Sequence, residues 1–148
     1  MGELADKIKG NVNEALGKAK QQSNDPDTRS VGSFFMNPVV TAGARDEISR
    51  VAGTPAPGFT VPEGIKVPAA WLIERAGLER GWTDGAVGIS SKHPLAIVNR
   101  GGATARDVIR AATTIKRRVL DRFGVTLRTE PVFLGFDDDS AVAFLQRG

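Results

Sequence analysis

The sequence contains no cysteine, which excludes disulfides, thiolate metal sites and a cysteine nucleophile and fits a cytoplasmic location. It contains one histidine, His93, so no second imidazole can share a metal with it. No Gly-x-Ser-x-Gly elbow is present either, which argues against a serine hydrolase. No apolar run approaches the roughly 20 residues that span a bilayer. The start, Met1 to Asp6, lacks a basic region followed by an apolar core, so no secretory signal is expected. Charge of one sign is also lacking: 20 basic residues face 17 acidic ones, a net of +3, which gives little electrostatic reason for a nucleic-acid partner. The one dense basic run is Lys116-Arg117-Arg118, with Arg110 and Arg122 nearby. Placed on a helix it reads as a solvated face, and no aromatic residue interleaves with it to stack on bases. There is no internal repeat and no low-complexity tract.

What is present fits one globular domain with a short appendage. The length of 148 residues can bury a substantial core, and 41% hydrophobic with 25% charged residues is ordinary for such a domain. The chain changes character near residue 30. Leu4, Ile8, Val12, Leu16 and Ala19 recur at helical spacing, so residues 3–22 read as an amphipathic helix. Gly10 and Gly17 weaken it, and it needs a partner surface. Residues 1–30 carry five basic and five acidic side chains, and Ser23 to Asp27 breaks the helix.

From Ser30 the composition turns to Val, Phe, Ile and Gly. Ser30 to Val40 reads as extended, and most of 41–64 as a loop, with a short helix at Asp46 to Ala52. Pro68 opens a helix that Gly77 stops, with Trp71 and Leu72 inward. Gly85 to Ser91 and Leu95 to Asn99 read as strands separated by a Lys92-His93-Pro94 turn. Thr104 to Phe123 carries the strongest helical signal. Thr104 and Asp107 form a capping pattern, Val108, Ala112, Ile115, Val119 and Phe123 form the inner stripe, and Gly124 ends it. Strands are expected at Val125 to Thr129 and Val132 to Phe136, and Ser140 to Gln146 reads as a last strand or a loose tail. The expected fold class is α+β: a mixed sheet packed against two main helices, preceded by an N-terminal amphipathic helical arm.

The segment Gly32-Ser33-Phe34-Phe35-Met36-Asn37-Pro38 places one hydroxyl between a glycine and two aromatics. Apolar neighbours would strip water from Ser33, and Gly32 would let a ligand approach the backbone. A buried strand that contains a serine fits the same pattern. Glu130, before Pro131, is either a surface strand-end residue or, if it faces Ser33, half of a proton-handling pair. The Asp137-Asp138-Asp139 run lacks the spacing of a calcium loop. Gly101-Gly102 before Thr104 could cradle a phosphate, but no lysine follows at P-loop spacing and a plain turn fits as well.

Five separated motifs, in order, resemble those of the UDP-N-acetylenolpyruvoylglucosamine reductase family (UDP-N-acetylmuramate dehydrogenase). They are Gly32 to Pro38; Pro68 to Glu74; Lys92-His93-Pro94-Leu95 with Asn99; Ala103 to Val108; and Phe123 to Leu127 with Glu130-Pro131. The resemblance covers about residues 30–136 and corresponds to the family's C-terminal, substrate-binding domain. It implies peptidoglycan precursor synthesis, in which NADPH reduces a bound FAD and the flavin reduces the enolpyruvyl ether of a UDP-sugar. It implies Ser33 as proton donor, Glu130 as a second acid, and Asn37 and His93 as substrate contacts. His93 stands where some relatives have glutamine.

The family's flavin-binding region is not recognisable in these 148 residues. FAD and NADPH are therefore not expected to bind this chain alone, and a separate flavin-binding domain is a possible partner. Residues 2–29 instead resemble the CsbD-like stress-response family, through Asp6 to Lys18 and Asp25 to Arg29. The expected organisation is an arm at 1–29 and a substrate-binding domain at 30–148. The alternative is a non-catalytic binding or stress-response fusion.

Overall fold

The computed structural model describes residues 30–136 and 138–148. The amphipathic helix and CsbD-like arm read from the sequence lie outside the described residues. The remainder is α+β, and its sheet component divides into two antiparallel sheets.

The segment from Ser30 to Val40 runs through both sheets. Its first part, β1 (Ser30–Ser33), is the edge of a four-stranded sheet of order β1-β7-β6-β5. The partners are β5 (Thr83–Asp84), β6 (Val87–Ile89) and β7 (Ala96–Asn99). Ser30 pairs with Val98 and Ser33 with Ala96, so β1 carries one extra residue and bulges. Gly32, at φ +89°, supplies a backbone conformation that side chains with a Cβ resist. The last part, β2 (Val39–Val40), joins β3 (Phe59–Val61) and β4 (Gly64–Lys66) in a three-stranded sheet of order β2-β4-β3. Between the sheets both Phe34 and Phe35 enter the core, their rings edge to face at 5.2 Å.

Four helices are described: α1 (Ala42–Ala52), α2 (Ala69–Arg75), α3 (Ala105–Phe123) and α4 (Ser140–Gln146). α3 is the centre on which α1, α2, α4 and the β6–β7 pair all pack. Its capping box forms as expected: Asp107 N donates to Thr104 Oγ1, and Thr104 N donates to Asp107 Oδ2. Gly124 closes it in the left-handed region at φ 67°. Ala112, Ile115, Val119 and Phe123 are buried as expected, with Ile109 and Ala111 added to the stripe.

Four expectations are corrected. The region 41–64 is mostly α1 and the β3–β4 hairpin rather than loop. Thr41 Oγ1 accepts from Ala44 N to start α1 four residues earlier than the apolar residues suggest. Residues 125–136 form no strand; among the described residues their one bridge is Thr129 to Phe35. Ser140–Gln146 is helical, because Asp139 Oδ1 accepts from Ala141 N and Val142 N. Lys116 is not on a solvated face: it is fully buried, and Nζ donates to the carbonyls of Phe144 (2.6 Å), Leu145 (3.0 Å) and Arg147.

Candidate functional site

The site is organised around the peptide groups of Phe34. Phe34 N donates to Leu95 O at 2.9 Å, and Phe34 O accepts from Glu130 N at 2.9 Å. On one side lies Leu95, just before β7 and two residues beyond His93; on the other lies the segment that carries Glu130. Ser33 directly precedes Phe34 and pairs with Ala96. Ser33, Glu130 and the His93 turn, far apart in sequence, are thus drawn to one residue of a buried crossing. Met36 N donates to Arg128 O at 2.8 Å, so the contact continues on both sides of the Phe35–Thr129 bridge.

Burial separates the roles of this motif. Phe34 and Phe35 are core residues and not the walls of a pocket, while Ser33 is exposed. The expectation that apolar neighbours strip water from the Ser33 hydroxyl is therefore corrected: the aromatics turn inward and the hydroxyl position remains open. Glu130 and His93 are exposed as well. A Cβ added at Gly32 would meet nothing within 4 Å, so approach to the backbone there is unobstructed.

The His93 turn is fixed from beneath by Ser90, a residue not singled out from the sequence. Ser90 is fully buried, and its Oγ accepts from Lys92 N at 3.1 Å and His93 N at 3.2 Å. A serine two residues before a Lys-His-Pro turn is a legible signal, because its hydroxyl can reach the following amides. Asn37 is set apart from this cluster. Its Oδ1 accepts from Ala69 N at 2.9 Å, capping α2 where Pro68 at the N-cap has no side-chain acceptor to offer. The Asn37 oxygen thus has a structural task, which leaves its Nδ2 hydrogens as the group available to a ligand.

The glycine turn before α3 is tied to Asn99. Gly101 N and Ala103 N both donate to Asn99 Oδ1, and the Thr104 and Asp107 amides are taken up by the capping box. Four amides of this turn and of the start of α3 are thus already engaged. Hydrogen bonds from Thr104, and one from Arg110, hold the Asp107 carboxyl below the usual carboxylate range. A groove of about 260 Å³ lies between β2, α1 and the end of α3, with Val39, Ala44, Glu47, Phe123 and Val125 on its walls. It contains neither Ser33 nor Glu130. Among the described residues no group of three His, Asp or Glu could hold a metal ion, and no helix is long and apolar enough to cross a membrane.

Comparison with known proteins gives this geometry a family. Residues 21–134 match the family described as UDP-N-acetylenolpyruvoylglucosamine reductase, C-terminal domain. The chain is 47% identical over 118 residues to the UDP-N-acetylenolpyruvoylglucosamine reductase of Mycobacterium tuberculosis (strain ATCC 25618 / H37Rv), covering 75% of this chain and 32% of that protein. It is 46% identical over 113 residues to the protein of the same name from Mycobacterium leprae (strain Br4923), covering 75% and 31%. For the protein of that name from Mycolicibacterium smegmatis the identity is 47% over 117 residues, covering 75% and 32%. The chain thus spans about a third of the length of the curated relatives it matches. The chain belongs to the UDP-N-acetylenolpyruvoylglucosamine reductase C-terminal domain family.

Proposed function

We propose that this chain is the substrate-binding part of a UDP-N-acetylenolpyruvoylglucosamine reductase, and that Ser33 and Glu130 are its proton-handling residues. The observation that carries the reading is the double hydrogen bond of Phe34, which draws Ser33, Glu130 and the His93 turn to one place. Their exposure supports it too, since a ligand can reach all three.

In this reading the ligand is a UDP-sugar carrying an enolpyruvyl ether. Ser33 Oγ would give its proton to the carbon beside the one that receives hydride. A hydroxyl is a weak acid, but it suffices for a strongly basic carbanionic carbon held against it. Glu130 would stabilise the charge that develops on the enolate. His93 and the Nδ2 group of Asn37 would contact the sugar nucleotide. FAD and NADPH supply the reducing chemistry of such an enzyme. Polypeptide outside the described residues, on the same or a separate chain, would hold them.

Isothermal titration with UDP-N-acetylglucosamine tests the reading. Binding is expected for the wild-type chain, about tenfold weaker in His93→Ala and little changed in Ser33→Ala, whose role lies in proton delivery. Absence of heat at about millimolar ligand, where even weak complexes form, would overturn it.

A further inference from the structure

Lys116 is the buried cation that this chemistry does not use. Burying an ammonium is costly unless its hydrogens are satisfied. Here all three have a carbonyl partner, at Phe144, Leu145 and Arg147. These carbonyls belong to the C-terminal end of α4, where a helix leaves its last acceptors without internal partners. At seven residues α4 is too short to persist without tertiary support. Its other end is held as well: the Asp139 carboxylate accepts from Ala141 N and Val142 N and pairs with Arg106 of α3. Both ends of α4 are therefore fastened to α3.

What α4 holds in turn is the segment that follows Glu130. Between Glu130 and Asp139, Phe133 is the one fully inward residue among those described, with Val132 and Leu134 exposed on either side. Phe133 O accepts from Gln146 Nε2 of α4, and the Phe133 ring lies 6.2 Å from that of Phe34. Phe34 O is the acceptor of the Glu130 amide. A continuous series of contacts thus runs from Lys116 through α4, Gln146, Phe133 and Phe34 to Glu130.

We propose that Lys116 is a positioning residue for Glu130, acting by clamping α4 so that Gln146 and Phe133 hold the Glu130 segment against Phe34. The functional weight of this link rests on the reading of Glu130 as a site residue; the link itself is a matter of structure. A lysine serves here because one ammonium can satisfy three carbonyls at once. A methionine of similar length would fill the space and leave all three carbonyls unsatisfied.

Amide hydrogen exchange by NMR tests the proposal on the wild-type chain, Lys116→Met and Gln146→Ala. In both variants the Glu130 amide is expected to exchange about tenfold faster or more, while those of Ile89 and Val67 stay within about twofold, since local openings are separable from global ones. Gln146→Ala removes one surface amide, so it reports even if Lys116→Met fails to fold. In parallel, affinity for UDP-N-acetylglucosamine is expected to stay within about twofold in both variants, since Glu130 acts on the reacting enolate and not on the bound sugar nucleotide. Equal acceleration at Glu130, Ile89 and Val67 would mean that Lys116 supports only the fold as a whole, and would overturn the proposal. So would an unchanged Glu130 amide. If the wild-type chain binds no UDP-sugar, the functional reading fails while the exchange pattern still decides the link.

Discussion

Two glycines show how the backbone rather than a side chain sets the limits at particular positions. Gly32 has φ +89° and open space around it, so its replacement is strained by conformation alone. Gly32→Ala is expected to cost about 1–2 kcal/mol, the usual penalty for a Cβ in left-handed backbone. Gly88 presents the opposite case. Its φ is ordinary, but an added Cβ would lie 2.3 Å from Trp82 O and 3.2 Å from Thr83 Cα, both backbone atoms of the adjacent segment at β5. Neither can swing aside, so β5 and β6 would have to separate. Gly88→Ala is therefore expected to exceed Gly32→Ala, at roughly 3 kcal/mol. Chemical denaturation of the two variants checks the order, and a larger loss at Gly32 would contradict it. Ser90 belongs to the same scale. Ser90→Ala leaves the amides of Lys92 and His93 without their acceptor, and is expected to loosen the His93 turn at a cost of about 1–2 kcal/mol.

At the scale of elements, what could be read from the sequence depended on whether an element is held by its own residues. α3 was legible from end to end, because its period, its Thr104–Asp107 box and its Gly124 stop are all local. The β6–turn–β7 unit was legible for the same reason. α4 was not, since Ala, Val and Phe in seven residues suit a strand equally well and its clamps come from Arg106 and Lys116, far back in the chain. Residues 125–136 carry strand-forming side chains, yet among the described residues their backbone partner is the short crossing at 34–36, which gives a bridge and no ladder. The nearness of Ser33 to Glu130 was likewise invisible to spacing, and only the resemblance suggested it. Caps offer a direct test of this contrast. Thr104→Ala removes a local cap from a 19-residue helix and is expected to cost about 1 kcal/mol. Asp139→Ala removes the cap of α4 together with its ion pair to Arg106, and is expected to cost about 2 kcal/mol. Asp139→Asn keeps the capping oxygen and should fall between wild type and Asp139→Ala in thermal denaturation.

At the scale of the whole molecule, Lys116 couples stability to alkaline pH. Burial, with a smaller contribution from the nearby charge of Arg147, lowers its pKa from 10.5 to about 8. In the unfolded chain the amine takes up its proton below about 10.5, whereas in the folded protein it does so only below about 8. Between these values the unfolded state binds more protons, so stability rises with pH across the interval. Below about pH 8 both states are protonated and the full penalty for charging the buried amine is present; above about 10.5 both are neutral and the penalty is gone. The difference of about 2.5 units corresponds to a gain of roughly 3 kcal/mol between pH 8 and 10.5. The composition makes this measurable, because the chain has no tyrosine and no cysteine to titrate in the same window. Urea denaturation at intervals of pH should give a stability curve that climbs over this range. In Lys116→Met the climb should vanish, leaving a curve governed by the other lysines. A wild-type curve that falls steadily from pH 8 would mean that the three carbonyls favour the ammonium strongly enough to outweigh its burial.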